Sequence, residues 1–264
     1  PTSLDCMQSN FGNCYFLAAA IALLNTPGGA DIISSIMRDD GDGTVTVKQF
    51  DKFNVPHYIV LPKVIPKANY FYKGKIFNAT KHVNWPDLLM LAHIICKQFE
   101  NFDFKNKPDE MGEGYTIAWG GRANYVFRQF GFLNACSRTD YTFEQIKSSV
   151  ESRKPVSATT LEGNEGLYEG MLANHEYVVV DTIEKDEIKF ILILDPSRIT
   201  GTVLHTNALN LELEGSCEEG NNGFSLIESE EFYRMFSCVQ YSEPPDELPD
   251  DSHLQLLAEL EESE

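Results

Sequence analysis

The segment over residues 8–24, QSNFGNCYFLAAAIALL, carries the strongest local structural signal in the chain. A Gly-Asn-Cys turn leads into an apolar run, which predicts a buried helix over residues 13–24 with Cys14 in its first turn. The unpaired N–H groups and the dipole at a helix N-terminus favour a thiolate there. Gln8 carries an amide that can donate to an oxyanion beside the N–H of Cys14. We therefore predict a nucleophile at Cys14 and an oxyanion donor at Gln8.

Two later segments supply the side chains that a thiol nucleophile needs. His175 stands in NHEYVVV, and Asp195 follows the apolar run ILIL. The chain order Cys, His, Asp is that of a thiol-dependent acyl-transfer triad, in which a carboxylate orients the imidazole that takes the thiol proton. The structural alternatives are a core cysteine, a core histidine and a turn-forming aspartate before Pro196.

The composition and net charge of the chain limit the kinds of partner that it can bind. The chain has 264 residues, with 40 acidic and 21 basic side chains and a net charge of −19. Nucleic acid is an unsuitable partner, because phosphate contacts need clustered Lys and Arg. The apolar runs fall short of the roughly 20 residues that cross a bilayer, so we predict no membrane span. We expect a protein or peptide substrate, and the sequence leaves the oligomeric state open.

The cysteine pattern indicates neither a metal site nor a disulfide framework. The six cysteines form no CxxC pair and no Cys/His group with zinc spacing, so we predict no cofactor and a reducing, intracellular compartment. The turn DDGDG at 39–43 lacks the full EF-hand pattern and its closing Glu, so calcium is an alternative that the sequence does not support. The chain begins with Pro, which we interpret as a fragment or a processed form.

The apolar periodicity changes from mainly helical to mainly strand-like near residue 154. Helices are expected at 13–24, 31–37, 85–99 and 142–152 and after the Gly-Gly turn at 120–121, with strands at 44–50 and 57–62. Beyond 154, PVSATT, EYVVVDTI, EIKFILIL and FSLI read as short strands. This order predicts an α+β fold with a helical N-terminal lobe at 1–118, a β-rich lobe at 119–242 and a substrate cleft between them. The acidic, Pro-rich segment 243–264 is predicted to be a solvated tail.

The Cys and His segments together resemble the calpain protease core, a family of papain-like cysteine peptidases. QSNFGNCYFLAA is similar to that family's Q-G-x-x-G-[DN]-C-[WFY]-[FL]-L-A-A, and GMLANHEYVV is similar to its G-L-V-x-G-H-A-Y-S-V. NWPDLLMLAHI, WGGRANYVFRQFGF and NNGFSLIESEEFYRMFSCV resemble further segments, so the likeness covers about residues 8–240. The resemblance implies a papain-like, two-lobed fold, with Cys14 as nucleophile, His175 as base, Asp195 as orienting residue and Gln8 at the oxyanion.

This sequence departs from the family pattern at three places. Asp195 stands where the family has Asn, and it can orient the imidazole equally well. Ser197 and Arg198 replace a Trp and a Gly, so shielding of the histidine pair has to come from elsewhere or be poorer. Asn174 replaces the Gly before His175. The family's calcium sites have no matching acidic residues here.

We expect a calpain-like cysteine endopeptidase that hydrolyses protein amide bonds through a Cys-His-Asp triad and a covalent thioester. Two alternatives stay open. One is a glutamine deamidase or transglutaminase-type effector that uses the same triad. The other is a catalytically degenerate peptidase fold that acts as a binding module. The acidic, compact character of the chain also fits a secreted bacterial effector that acts in a host cytosol.

Overall fold

The computed structural model describes residues 1, 6, 13–63, 69–72, 75–78, 85–99, 121–168, 170–197, 203–205 and 223–241. These residues form helices and mainly antiparallel sheets, with several strands following one another along the chain, so the α+β class predicted from the sequence is confirmed. The helices are α1 (Cys14–Leu24), α2 (Gly29–Ser35), α3 (Trp85–Phe99), α4 (Ala123–Gln129), α5 (Phe143–Glu151) and α6 (Ser229–Met235). The strands are β1 (Met37–Asp39), β2 (Thr44–Phe50), β3 (Pro56–Pro62), β4 (Asn69–Tyr72), β5 (Lys75–Asn78), β6 (Cys136–Arg138), β7 (Val156–Thr160), β8 (Glu176–Lys185), β9 (Ile188–Leu194), β10 (Val203–His205), β11 (Phe224–Glu228) and β12 (Phe236–Tyr241).

A seven-stranded sheet forms the centre of the fold, in the order β10-β11-β9-β8-β7-β12-β6. Its strands pair antiparallel except for β10 and β11, which are parallel. A three-stranded sheet, β1-β2-β3, and the hairpin β4-β5 come from the first part of the chain. The segment predicted as a helical lobe therefore also carries strands, of which β2 and β3 were predicted.

Helix α1 is buried on all sides. Residues 15–23 are all buried, because Ala and large apolar side chains occupy its whole circumference. It packs against β7 and β8 on the sheet and against α2 and α4. The helix begins at Cys14 and ends at Leu24, close to the predicted bounds. The thiol therefore stands at the first residue of the most buried helix described.

The central sheet has an apolar core on each face. One core joins α1, α2, α3 and α4 to β2, β3 and the inner residues Val178 and Leu194 of the sheet. The other joins α5 and α6 to the opposite face, through residues that include Tyr177, Val179 and Ile193. Successive residues of a strand point to opposite faces, which explains why neighbours on β8 belong to different cores.

Of two helices predicted from local sequence signals, one lies where expected and the other is shifted along the chain. The helix predicted at 142–152 is confirmed as α5, and Thr142 and Gln145 form a reciprocal capping box at its start. The helix predicted at 31–37 is shifted. It begins at Gly29, directly after Gly28 in a left-handed conformation with φ 74°, and Met37 already belongs to β1.

Some predictions fall on residues that the structure does not describe. Gln8, Gly120, Arg198 and the acidic segment 243–264 lie outside the described ranges. Within those ranges, no single helix has the length and apolar composition to cross a membrane. The pair α1 and α2 meets that test only jointly, with a bend of 117° between them.

A glycine is required at position 121 because the backbone there closely approaches Tyr15, the residue after Cys14. A Cβ atom added there would lie 2.5–2.9 Å from ring atoms of Tyr15, whereas a Cβ at the exposed Gly163 would meet nothing closer than 3.9 Å. We therefore expect Gly121→Ala to lower the free energy of unfolding by about 1–3 kcal/mol through overpacking. Thermal and urea unfolding measure this, with Gly163→Ala as the matched control. Equal losses in the two variants would contradict the contact.

Candidate active site

Cys14 is the first residue of α1 and is partly exposed, whereas residues 15–23, which follow it, are buried. The carbonyl of Asn13 accepts the N–H groups of Phe16 and Leu17, at 3.0 and 3.1 Å, and so begins the helical hydrogen bonding. No acidic side chain occupies the first turn. The partial positive charge of this helix end is therefore directed to the sulfur without competition from a carboxylate in that turn.

His175 directly precedes β8, and Asp195 directly follows β9. Because β8 and β9 pair antiparallel, the start of β8 and the end of β9 lie side by side. The His175 Nε2 atom is 2.8 Å from Asp195 Oδ1. Asp195 is fully buried and His175 is 5% exposed. Because a carboxylate only accepts hydrogen bonds, Nε2–H donates, and Nδ1 remains as the ring nitrogen that can take a proton from a thiol.

The Cys14 thiol lies within hydrogen-bonding reach of this imidazole. Burial lowers the pKa of His175, but the hydrogen bonds to Asp195 and Cys14, with the negative charges of both partners, raise it to about 9 overall. The structure thus brings together three of the four side chains predicted for the site, and at neutral pH it favours a protonated imidazole. Gln8, the fourth, lies outside the described residues.

Ser197 supports the carboxylate of Asp195. Its N–H donates to Asp195 Oδ1 at 2.7 Å, and its hydroxyl also bonds this carboxyl. Burial alone would raise the pKa of Asp195, but the hydrogen bond and charge of His175 and the two bonds from Ser197 hold it below its usual value. Ser197, Pro196 and Asp195 are all buried, so the pair is shielded from solvent without the Trp of the family pattern.

Thr160, at the end of β7, fixes the backbone of His175 from both sides. Its hydroxyl accepts the His175 N–H at 3.0 Å, and its own N–H donates to the His175 carbonyl at 3.0 Å. The same hydroxyl donates to the Leu172 carbonyl at 2.7 Å. Asn174, between them, has a left-handed φ of 50° and donates its N–H to the Leu161 carbonyl at 2.7 Å. Asn tolerates this conformation better than most residues, which explains how it replaces a Gly here.

The aromatic ring of Tyr177 packs against the imidazole of His175. The two rings meet edge to face, with centroids 4.9 Å apart and planes at 84°. The hydroxyl of Tyr177 accepts the Leu172 N–H at 3.0 Å. The ring therefore packs against the imidazole while its polar end fixes the loop before it. From the sequence, Tyr177 had no predicted role beyond its position in the motif around His175.

His93, which was not assigned to the site from the sequence, is fully buried and bonds the residue after Cys14. Its Nε2 atom is 2.8 Å from the hydroxyl of Tyr15, and Nδ1 bonds the amide oxygen of Gln129 on α4. Tyr15 directly follows Cys14, so these bonds join the start of α1 to α3 and α4. No sequence spacing points to this arrangement, because it depends on how three helices pack.

The acidic turn at 39–43 is occupied by its own hydrogen bonds. Asp39 pairs with Lys63, and Asp40 pairs with Arg38 at 2.7 Å. Asp42 accepts the N–H and the hydroxyl of Thr44, at 2.8 and 2.6 Å. Across the described ranges, no group of three or more His, Cys, Asp or Glu side chains is arranged to hold a metal ion.

Comparisons with known proteins do not assign the chain to a group. No protein-family model matches it, and no curated protein matches it significantly.

The Thr160 hydroxyl offers a first test of the site. We expect Thr160→Val to lower stability by about 1–3 kcal/mol, because a buried N–H of His175 and the Leu172 carbonyl each lose a partner. Alkylation of Cys14 by iodoacetamide should slow as well, since the imidazole is less well fixed. Thr160→Ser retains the hydroxyl and should restore both properties. A valine variant equal to the wild type in stability and alkylation would contradict the arrangement.

The protonation of His175 offers a second test. NMR of the imidazole carbons should give a pKa of about 9 in the wild type and a lower value in Asp195→Asn, which keeps an acceptor but removes the charge. The signals of the other histidines serve as internal controls, because the substitution does not touch them. Titration of His175 at the same pH in both proteins would show that Asp195 does not stabilise the imidazolium.

Proposed function

We propose that this protein is a cysteine endopeptidase similar to the calpain core, with a papain-like, two-lobed fold and a protein or peptide substrate bound between the lobes. One observation carries the proposal. A thiol at the N-terminus of a buried helix contacts an imidazole whose other nitrogen bonds a buried carboxylate. A cysteine with only a packing role needs neither the imidazole nor the carboxylate, so this combination favours nucleophilic catalysis.

The Cys14 proton moves to Nδ1 of His175 before the substrate binds, because an imidazole with a pKa of about 9 is protonated at neutral pH. The imidazolium and the helix end stabilise the thiolate, which attacks the amide carbonyl and forms a tetrahedral oxyanion. The N–H of Cys14 is one donor to that oxyanion, and we assign the second to the side chain of Gln8. His175 then gives its proton to the leaving amine as the C–N bond breaks, which leaves a thioester on Cys14.

Hydrolysis of the thioester uses the same groups in reverse. His175, now neutral, takes a proton from water, and the resulting hydroxide attacks the thioester carbonyl. Collapse of the second oxyanion breaks the C–S bond, and the sulfur leaves as a thiolate beside the imidazolium. Throughout, Asp195 keeps Nε2 protonated and the ring oriented. A pKa near 9 for His175 keeps the general acid charged at neutral pH.

The test is cleavage of unfolded protein substrates followed by mass spectrometry. The wild type should produce fragments, and Cys14→Ala and His175→Ala should each abolish them, because each variant removes one partner of the proton transfer. Cys136→Ala is the matched control, since Cys136 lies on the edge strand β6 and is likewise partly exposed.

Other outcomes identify other functions. A mass gain of about one dalton without fragments would replace hydrolysis of the backbone by deamidation of a side chain, through the same acyl-enzyme. No reaction, together with an unreactive Cys14, would support a binding module. Iodoacetamide should label Cys14 faster than the other cysteines if the proposal holds.

A further inference from the structure

A group of buried polar side chains lies beside His175 on the face of the sheet that α1 covers. Its members are Glu176 on β8, Thr159 on β7 and Gln240 on β12, and Glu176 and Gln240 are 1% and 0% exposed. The register sets Glu176 opposite Thr159, and Gln240 opposite Ser157 two residues along β7. Side chains on directly paired residues share a face, so the three polar groups meet across three strands.

These side chains form a closed hydrogen-bonded ring. Thr159 Oγ1 is 2.6 Å from Glu176 Oε2. The nitrogen and the oxygen of the Gln240 amide both have suitable hydrogen-bond partners when the nitrogen faces Glu176. The amide then donates to Glu176 Oε1 at 2.7 Å and to the Ser157 carbonyl at 3.1 Å, and its oxygen lies 2.8 Å from Thr159 Oγ1.

The number of protons within the ring favours a neutral Glu176, and the hydroxyl of Ser157 bonds the same carboxyl from outside the ring. Thr159 has a single hydroxyl proton, and two acceptors lie beside it, Glu176 Oε2 and the Gln240 oxygen. An ionised Glu176 leaves one acceptor without that proton. A protonated Glu176 donates from Oε2 to Thr159, Thr159 donates to Gln240, and Gln240 donates back to Glu176 Oε1. Every polar atom of the ring then has a partner, which is the arrangement that a buried network favours.

The surroundings act on the carboxyl in the same direction. Burial raises the pKa of Glu176 to about 7, against hydrogen bonds from Ser157 and Thr159 and the positive charges of His175 and Arg122. The other titratable groups nearby are Cys14, on the helix that covers β8, and Cys238, whose sulfur lies 3.3 Å from the Gln240 amide.

We propose that Glu176 is a positioning residue that holds a proton, and that its ring with Thr159 and Gln240 fixes the end of β8 from which His175 projects. The ring lies directly next to the bonds between Thr160 and His175, because Thr159 precedes Thr160 and Glu176 follows His175. The two sets of bonds therefore hold the same two strand ends. The inference rests on the proposed function for the role of His175, but the ring itself does not.

Stability as a function of pH tests whether Glu176 holds a proton. Its pKa is 4.5 in an unfolded chain and about 7 in the folded protein, so the folded state retains a proton that the unfolded state has lost in this interval. The contribution of Glu176 to stability is therefore fully present below pH 4.5 and is lost as the pH rises through 7. Glu176→Gln reproduces the protonated ring, since its amide donates to Thr159 and its oxygen accepts from Gln240.

We expect the wild type to lose thermal stability relative to Glu176→Gln between about pH 4.5 and 7. A difference between the two proteins that stays constant across this interval would overturn the proton assignment. The measurement can be repeated in a Cys14→Ala background, so that it does not depend on peptidase activity.

Alkylation of Cys14 at about pH 6 tests the positioning. Glu176→Gln should keep the rate constant for iodoacetamide within about twofold of the wild type, whereas Glu176→Met, which opens the ring, should lower it about fivefold or more. Thr159→Val opens the ring from the other side and should act like the methionine variant, and it serves if Glu176→Met does not fold. Wild-type rates in both ring-opening variants would overturn the proposal. Absence of peptide cleavage would refute the proposed function and leave this test intact.

Discussion

Helix α1 is buried on every side, and its packing determines where the neighbouring strands and helices can lie. A helix that is apolar around its whole circumference has to be covered completely, here by β7 and β8 on one side and by α2 and α4 elsewhere. Each large side chain that it buries contributes about 1.5–3 kcal/mol, so the helix has little freedom to shift. At its N-terminal end, the first residue, Cys14, is partly exposed to solvent. Core packing thereby fixes the position of the sulfur.

Next to this helix end, the central sheet carries His175 and Asp195, two ionisable groups whose burial costs free energy. An ionised pair such as His175 and Asp195 loses hydration in the interior, and its attraction offsets that loss only with good geometry and further hydrogen bonds. Ser197 supplies bonds to the carboxylate, and Thr160 supplies bonds to the histidine backbone. Natural proteins keep such arrangements mainly at functional sites, where local stability is not the only requirement.

Local signals in the sequence predicted much of this. Periodicity gave α1, α3, α5 and the long strands, because these elements have strong apolar patterns or caps. The spacing around Cys14, His175 and Asp195 indicated three groups that the structure brings together. The contributions of Thr160 and Glu176 were not predictable, because they depend on which residues face each other across strands. The short strands β1, β4 and β5 were missed for a related reason: their few residues carry too little pattern to be recognised without their partners.

The loop between β7 and β8 is closed at its base by bonds that do not involve its middle. Leu161 bonds Asn174, and Thr160 bonds both Leu172 and His175, so the two strand ends are joined before the loop leaves the sheet. The cost of lengthening a loop whose ends are already joined grows only slowly with its length. The exposed residues 162–166 are therefore a stretch where related proteins can acquire insertions, or where an engineer can graft a foreign segment, without moving the imidazole.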